Sequence, residues 1–343
     1  MSKTIKLSVL DQTPMRQGST ASVALRETVK LAQATERMGY MRFWVSEHHN
    51  SIYFAGTNPE ILIGQIAANT ETIRVGSAGV MLPHYSSLKV AEGFSVLESF
   101  YPGRIDLGVG RAPGSDQLTA TALSYPKPQA NIATFPQQVL DLIGYLSGTL
   151  AKDHPFERIR SQPGPVPDNL PEIWILGSSN YSAGLAAELG LPFAFADFFG
   201  STREQGPAAA AIYRKGFKPS PICHEPKLNV GFQVICAPTK EEAEFIGASR
   251  NINKAREVLR LGLGPGMISP EKALDLDLAP GAKSYIEQLS SMYIDGDPKF
   301  VKTKILELTE EYDTTDITIV TNCYDFRHRV RSYELLAEAF EMG

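Results

Sequence analysis

The sequence predicts an α/β protein and, within that class, a (β/α)8 or TIM barrel with insertions after its fourth and seventh strands. Short apolar runs alternate along the chain with longer segments in which apolar residues recur every three to four positions. Strands separated by helices pair in parallel, because the helix supplies the crossover. Eight such strands can be counted in the 343 residues, which favours a closed barrel over a doubly wound sheet. We expect residues 1–343 to form a single domain, since barrels of this kind often do.

Four β/α units occupy the first half of the chain. The predicted strands are Ile5–Leu10, Met41–Ser46, Ile73–Leu82 and Arg104–Val109. The predicted helices are Ser22–Met38, a helix that begins near Asn58 and Pro59, Ser86–Phe100 and Phe135–Leu146. Thr20 or Ser22 can cap the first helix. In the third helix, Val90, Phe94 and Leu97 recur at the spacing of one helix face.

The pattern resumes after a proline-rich loop, Asp153–Pro171. The predicted strands are Ile173–Leu176, Pro192–Ala196, Leu228–Cys236 and Ile317–Thr321. The predicted helices are Tyr181–Leu189, Gly206–Gly216 and Arg327–Glu341. The largest departure is Thr239–Asp297, with a polar helix (Glu241–Leu261), a Gly/Pro turn (Gly262–Gly266) and then irregular sequence. We expect this insertion to form a lid or a wall over the strand ends.

Composition excludes several classes of function. The chain is 43% hydrophobic and 21% charged with a net charge of −5, and no run rich in Lys and Arg suits nucleic acid. No stretch approaches the 18 or so apolar residues of a membrane span, and the first residues are too polar for a signal peptide. The three cysteines are scattered without metal-like spacing, which suits a reducing compartment. We therefore expect a cytoplasmic protein that binds neither nucleic acid nor membranes.

Two segments at predicted strand ends suit an anion. Arg111 follows the fourth strand, and Gly177–Ser182 joins the fifth strand to its helix. In a barrel, the carboxyl ends of all strands lie on one face, where such enzymes build their sites. Gly177 lets the backbone turn closely, and serine hydroxyls and free N–H groups at the helix start attract a phosphate. The alternative is that Ser178 or Ser179 only caps the helix while Arg111 pairs with a surface carboxylate.

Two familiar glycine motifs are incomplete. Gly108 and Gly110 resemble the start of a dinucleotide fingerprint, but Pro113 occupies the third glycine position. The Gly177 turn resembles a nucleophile elbow, but Tyr181 replaces its final glycine. The sequence therefore predicts neither a resident nicotinamide dinucleotide nor a serine nucleophile.

His48 and His49 follow the second predicted strand. Because neighbouring side chains on a strand point to opposite faces, we expect one of them to face the mouth of the barrel and to contact a ligand. No further histidine pair supports a metal site. The alternative is a pair of hydrogen-bonded structural imidazoles. Ser77–Val80, in the third strand, consists of small residues that fit either a crowded barrel interior or a flat ring against the backbone.

Several long motifs, in order, resemble those of the bacterial luciferase-like monooxygenases, a flavin-dependent family with a (β/α)8 barrel. The motifs are FWVSEHHN at 43–50, RVGSAGVMLPHYSSLKVAE at 74–92, GRIDLGVGRAPGSD at 103–116 and LGSSNYSAGLAAELGLPFAFA at 176–196. The resemblance covers nearly the whole chain. It implies a monooxygenase that uses reduced FMN, supplied by a separate reductase, and O2 to oxygenate a small organic substrate.

The resemblance also implies a role for each matched residue. The residues implied to hold the FMN 5′-phosphate are Arg111, Gly177, Ser178, Ser179, Tyr181 and Ser182. Ala78 and Gly79 match a non-prolyl cis peptide bond under the isoalloxazine ring, and His48 matches the catalytic histidine that assists the reaction with oxygen. Gly110 stands where luciferases have a reactive cysteine, and Ser178 where they have an acidic residue, so light emission and an aldehyde substrate do not transfer.

Three further expectations accompany this resemblance. The family suggests a homodimer through the helices of the second and third β/α units. An F420-dependent oxidoreductase that transfers hydride is the alternative enzyme, because the deazaflavin uses the same barrel. A non-catalytic flavin-binding protein is the alternative from another class. The substrate itself depends on the loops at 112–134 and 239–297, whose conformations the sequence leaves open.

Overall fold

The protein is described from a computed structural model that covers residues 4–126, 128, 131–164, 170–256 and 258–342. The strands are β1 (Lys6–Asp11), β2 (Arg42–Val45), β3 (Arg74–Met81), β4 (Ile105–Gly110), β5 (Glu172–Gly177), β6 (Phe193–Ala196), β7 (Leu228–Cys236), β8 (Ile294–Gly296) and β9 (Asp316–Val320). The helices are α1 (Ala21–Arg37), α2 (Pro59–Ala67), α3 (Ser87–Phe100), α4 (Gln117–Ser124), α5 (Phe135–Ser147), α6 (Asn180–Leu189), α7 (Gly206–Gly216), α8 (Lys240–Ala255), α9 (Pro270–Leu274), α10 (Pro280–Ser291), α11 (Pro298–Glu311) and α12 (Phe326–Ala339).

Eight parallel strands close into a barrel. Each strand from β1 to β6 pairs with the next strand in the sequence. Strand β9 then closes the ring by pairing with both β7 and β1. The short strand β8 pairs only with the end of β7, at Val234–Cys236, and lies outside the ring. The predicted (β/α)8 barrel is therefore confirmed, with its eighth strand at β9.

The barrel elements begin and end within one or two residues of the predicted positions. For example, Thr20 caps α1 by accepting a hydrogen bond from the Val23 backbone N–H, and Pro59 begins α2. All nine residues of β7 are buried, as expected for a parallel strand that is covered on both faces. Alternation of side chains then places one set of strand residues against the helices and the other set inside the barrel.

Ion pairs close the amino-terminal end of the barrel. Arg42, which is 4% exposed, contacts Asp316 at 2.8 Å and both Asp106 and Glu172 at 3.3 Å. Its guanidinium carbon also lies 5.1 Å from the ring centroid of Trp174. An open groove of about 820 Å³ lies at this end. The charged side chains that line this groove pair with one another. Residues at the amino-terminal face of such barrels contribute to stability, whereas active sites lie at the opposite face.

The insertions contain more regular structure than the sequence analysis predicts. The stretch after β4 contains α4, and the irregular part of the second insertion contains α9, α10 and β8, so that prediction was wrong. The helix predicted over Glu241–Leu261 ends at Ala255 as α8. Each of these helices is short and needs tertiary contacts to form. Their start signals were present as a capping residue or a proline, as at Ser269 and Pro270, which begin α9. The same holds for Asp297 and Pro298, which begin α11, a helix that was also not predicted.

The insertion after β7 packs as a wall against the loops that follow β1 and β2. The Met267 backbone pairs with that of Arg16, and the Gly266 N–H donates to the Ile52 carbonyl at 2.8 Å. Arg256 lies over the ring of Tyr53 at 4.8 Å. These contacts place the wall over the carboxyl ends of the strands. Residues 165–169 of the proline-rich loop and residue 257 of the predicted polar helix lie outside the described residues.

Candidate functional site

His48 lies just past the end of β2, partly buried. Its Nδ1 is 3.0 Å from the Ser46 hydroxyl, and its ring lies 4.7 Å from that of Phe54. Burial is the main cause that lowers the pKa of His48 to about 4; the negative charge of Glu47 opposes the shift, and His49 and Lys254 contribute to it. The imidazole is therefore neutral at neutral pH. It is suited to accept or share a proton rather than to donate one.

His49 belongs to a separate hydrogen-bonded network around a buried carboxylate. The Glu47 Oε1 atom lies 2.8 Å from His49 Nε2 and accepts the Tyr85 hydroxyl at 2.8 Å, and Oε2 accepts the Met81 N–H at 3.0 Å. Burial next to this carboxylate raises the pKa of Tyr85. Glu47 was not singled out from the sequence. The available signal was an acidic residue directly after an apolar strand, where a buried charge requires partners.

Both histidines line the same cavity, which corrects the expectation that only one would face the mouth. The argument from alternation assumed a strand, but β2 ends at Val45 and the two residues lie in the loop beyond it. The cavity measures about 680 Å³. Its walls come from the loops after several strands and from the second insertion.

The peptide bond between Ala78 and Gly79 is cis, as the resemblance implied. A Cβ atom added at Gly79 would lie 2.2 Å from Leu176 Cδ1 and 2.6 Å from the Gly108 carbonyl oxygen, so glycine is required there. Ala78 lines a small cavity of about 50 Å³ inside the barrel mouth. Phe198, which follows β6, lines both this cavity and the larger one beside His48.

The two predicted parts of the anion site come together. The Arg111 guanidinium carbon lies 4.2 Å from the ring centroid of Tyr181. Within the described residues Arg111 forms no ion pair, so the alternative of a surface carboxylate partner is not observed. Ser179 does cap α6, since its hydroxyl accepts the Ser182 N–H at 3.5 Å. The capping alternative therefore holds for Ser179, while Ser178 makes no side-chain hydrogen bond in the described part of the chain.

Gly177 is needed by the turn that precedes α6. An added Cβ would lie 2.2 Å from both Cβ and Oγ of Ser182, which is far inside van der Waals contact. The glycine lets the backbone pass close to the helix start, where free N–H groups face outward. The turn, the serine hydroxyls and Arg111 thus form a polar cradle that fits a phosphate.

The described residues offer no competing metal or membrane site. No three His, Cys, Asp or Glu side chains among them are grouped so that they could hold a metal ion. In the same residues no helix has the length and apolar character needed to cross a membrane.

The chain is similar to known proteins of one family over nearly its whole length. A model of the family described as Luciferase-like monooxygenase matches residues 5–310. The luciferase-like monooxygenase of Escherichia coli strain K12 is 39% identical over 99% of this chain and 98% of that protein. The N-acetyl-S-alkylcysteine monooxygenase of Bacillus subtilis strain 168 is 38% identical over 98% of each chain. The crystal structure of apo-MsnO8 has a TM-score of 0.88 at 36% identity and covers 99% of both chains.

More distant structures share the fold with different flavin cofactors. The oxygenating constituent of 3,6-diketocamphane monooxygenase from Pseudomonas putida, in complex with FMN, has a TM-score of 0.72 at 20% identity and covers 98% of this chain and 97% of that one. An F420-dependent secondary alcohol dehydrogenase has a TM-score of 0.71 at 14% identity, with 98% and 99% covered. At such identities the similarity shows the fold alone.

Proposed function

Because this chain belongs to the luciferase-like monooxygenase family, we propose that it is a flavin-dependent enzyme that uses reduced FMN and O2 to oxygenate a small organic substrate. The observation that carries the proposal is the polar cradle at Arg111 and Gly177, on the strand-end face that also holds the His48 cavity. Bound reduced FMN would supply the electrons that activate O2. The incomplete dinucleotide fingerprint supports delivery of reduced FMN by a separate reductase.

The cradle would hold the 5′-phosphate through two kinds of contact. The Arg111 guanidinium lies over the Tyr181 ring, a contact that leaves its N–H groups available to a ligand. The loop supplies the Ser178 hydroxyl and the backbone N–H groups at the start of α6, where the helix dipole favours an anion. A charge-assisted contact of this kind contributes about 1.5–3 kcal/mol.

The flat ring would lie against the backbone of β3. Ala78 lines the small cavity at the barrel mouth, and Gly79 lets the backbone beside it pack closely against Leu176 and Gly108. Phe198 lines both this space and the cavity beside His48. A ring placed there would have Ala78 on one side and the cavity on the other, so that the substrate and O2 would meet it from the cavity.

His48 would act from the loop after β2. Its Nδ1 is held by the Ser46 hydroxyl, which leaves Nε2 as the atom available to a reacting group. Because burial keeps the ring neutral, His48 would stabilise developing charge through a hydrogen bond or hold a proton at Nε2 during the reaction.

Two alternatives make different predictions. A hydride-transferring oxidoreductase would bind F420 more tightly than FMN. This alternative is considered because an F420-dependent dehydrogenase has the same fold. A non-catalytic flavin-binding protein would lose FMN binding in Arg111→Ala but show no consequence of His48→Ala. In the proposed monooxygenase, Arg111→Ala would abolish flavin binding. His48→Ala would retain flavin binding but slow the consumption of oxygen.

The deciding experiment measures the affinity of the purified protein for FMN, for reduced FMN under anaerobic conditions and for F420, followed by stopped-flow reaction with O2. Arg158→Ala is the matched control for Arg111→Ala, because Arg158 is an exposed arginine in the loop that leads to the amino end of β5. Micromolar or tighter binding of reduced FMN that depends on Arg111 supports the proposal. Absence of binding to all three cofactors would overturn it.

We also propose that the protein is a cytoplasmic homodimer. The outer faces of α2 and α3 expose Ile61, Val96 and Phe100, which are 74%, 43% and 72% accessible in the single chain. Apolar side chains at such exposure on neighbouring helices favour an interface. Light scattering of the wild type and of Phe100→Glu tests the proposal, and a wild-type mass of 37.5 kDa, that of one chain, would contradict it.

A further inference from the structure

Three carboxamide side chains line the cavity beside His48 from neighbouring strands. Gln12 directly follows β1, Gln233 lies in β7, and Asn322 follows β9. The strand order β7, β9, β1 brings these positions to one side of the barrel although they are far apart in sequence. The Asn322 amide Nδ2 donates a hydrogen bond to Gln12 Oε1 at 2.6 Å. We refer to these three residues as the amide cluster.

The amide cluster lies above the small cavity that Ala78 lines. Gly231 lines that small cavity, and Gln233 follows it two positions later on β7, so both residues face the barrel interior in successive layers. The polar residues of the small cavity are used within the fold, since the Thr318 hydroxyl donates to Asn229 Oδ1 at 2.9 Å. Free polar groups on this side of the mouth therefore belong to the amide cluster.

The amide cluster leaves hydrogen-bonding groups unused in a buried position. Asn322 is 6% exposed, and its Oδ1 atom has no hydrogen-bond partner among the described residues. Gln233 is also 6% exposed and makes no side-chain hydrogen bond within those residues. The hydrogen bond from Asn322 uses the oxygen of Gln12 and leaves its Nε2 group free. Buried polar groups are almost always paired, so these groups on a cavity wall call for a ligand.

The amide cluster lies across the barrel mouth from the phosphate cradle. Arg111 follows β4, and Gly177 ends β5. In the closed ring of strands, β9 lies opposite β4 and β1 lies opposite β5. A ligand whose phosphate is held in the cradle therefore reaches the amide cluster only by extending across the mouth, where Ala78 of β3 lies between them.

The chemistry of the amide cluster matches one edge of a flavin ring. The pyrimidine edge of the ring is an imide, in which the N3–H donor lies between two carbonyl acceptors. The cluster offers the complementary groups, an acceptor at Asn322 Oδ1 and carboxamide donors on Gln233 and Gln12. The dimethylbenzene end of the ring is apolar, and it would leave these buried groups without partners. The cluster carries no charge, so it suits this neutral edge.

We infer that the amide cluster recognises the pyrimidine edge of the flavin, with Asn322 Oδ1 accepting the N3–H and with Gln233 and Gln12 donating to the flanking carbonyls. This inference rests on the proposed function for the identity of the cofactor, but it concerns other residues than those of the phosphate cradle. The cluster would orient the ring in its own plane, while the cradle holds the other end of the cofactor. Because a deazaflavin has the same imide edge, the cluster would bind FMN and F420 alike.

The first test compares FMN with 3-methyl-FMN, in which a methyl group replaces the N3 hydrogen. Each is reduced under anaerobic conditions and titrated against the wild-type protein. We expect 3-methyl-FMN to bind at least tenfold more weakly, because it cannot donate to Asn322 Oδ1. This comparison needs no substitution, so it holds even where a variant fails to fold.

The second test repeats both titrations on variants whose folding is established by circular dichroism. Asn322→Ala should weaken FMN about tenfold and should bind 3-methyl-FMN as tightly as FMN, because the acceptor is gone and the methyl group has room. Gln233→Met should weaken both ligands by a similar factor, about fivefold, and keep the difference between them. Asn253→Ala, which changes an asparagine on the α8 wall of the same cavity, is the matched control and should behave as the wild type.

The outcomes separate this inference from the proposed function. If 3-methyl-FMN binds the wild type as tightly as FMN, or if the difference persists in Asn322→Ala, the inference is overturned and the proposed function stands. If the expected pattern is found but the bound flavin does not react with O2, the proposed function fails and the inference stands. If F420 binds in place of FMN, a tenfold loss of F420 affinity in Asn322→Ala supports the inference and an unchanged affinity overturns it.

Discussion

The substitution His48→Asn is expected to remove a specific pH dependence from the stability of the protein. In the folded chain, burial lowers the pKa of His48 from 6.5 to about 4. Between these values the unfolded chain holds a proton on this ring and the folded chain does not. Unfolding therefore takes up a proton, and the free energy of unfolding falls as the pH falls from 6.5 to 4. Asparagine keeps a polar group near the Nδ1 position, beside Ser46, but does not titrate.

The size of the effect follows from the difference between the two pKa values. A full shift of this size corresponds to an upper value of about 3 kcal/mol, at about 1.4 kcal/mol for each pH unit. Between pH 7.5 and 5.0 the wild type should lose about 2 kcal/mol more than His48→Asn, because most of the proton uptake falls in that interval. Other groups that titrate in the same range contribute equally to both proteins and cancel in the comparison.

The assay is urea unfolding of the wild type, His48→Asn and the control His224→Asn at pH 7.5, 6.0 and 5.0. His224 is exposed, so the control should follow the wild type at each pH. An NMR titration of the His48 ring gives the folded-state pKa directly. Equal losses of stability in the wild type and His48→Asn between pH 7.5 and 5.0 would show that the ring is not held neutral by burial.

Three further substitutions test other parts of the molecule. Arg111→Ala should weaken FMN about 10- to 100-fold by loss of a charge-assisted phosphate contact, measured by fluorescence titration, and an unchanged affinity would remove Arg111 from the site. Gly177→Ala should lower the free energy of unfolding by about 2 kcal/mol, measured by urea unfolding, because the new Cβ clashes with Ser182. Adding Ser182→Gly should restore part of this free energy. If the effects of the two substitutions simply add, the clash is refuted. Arg42→Met should lower the free energy of unfolding by about 3 kcal/mol or more, because the buried Asp106 then has one cation fewer beside it. Unchanged stability in urea unfolding would contradict the structural role of this ion pair.

Much of the barrel could be predicted because its strands are short, mostly apolar runs that alternate with segments of helical periodicity. The prediction for β7, Leu228–Cys236, matches the structure residue for residue, and α7 was likewise predicted at its observed bounds. The helices α4, α9, α10 and α11 were missed. Helices of this length have little stability of their own, and the packing that supports them is not visible in local sequence.

The candidate site, like the fold, could be predicted only in part. Arg111 and the Gly177 turn could be placed on one face because every strand of a parallel barrel ends there. The contact between Arg111 and the Tyr181 ring could not be predicted, because it depends on the relative positions of two loops. Glu47 was placed on this face together with the two histidines but was assigned no role, because the role of a buried carboxylate depends on partners distant in sequence, such as Tyr85.

The sequence by itself determined the barrel, the end of the barrel that carries the site, and the family, since periodicity and motif order are properties of the chain. Tertiary structure alone decided which of two adjacent histidines is held neutral beside a cavity and which is tied to Glu47. It also decided that the Asn322 amide, after β9, donates to Gln12, after β1, while the Asn322 Oδ1 atom has no partner among the described residues. The physical reason is that burial and pairing set the charge and the unused hydrogen bonds of a side chain, and both arise only when distant segments pack together.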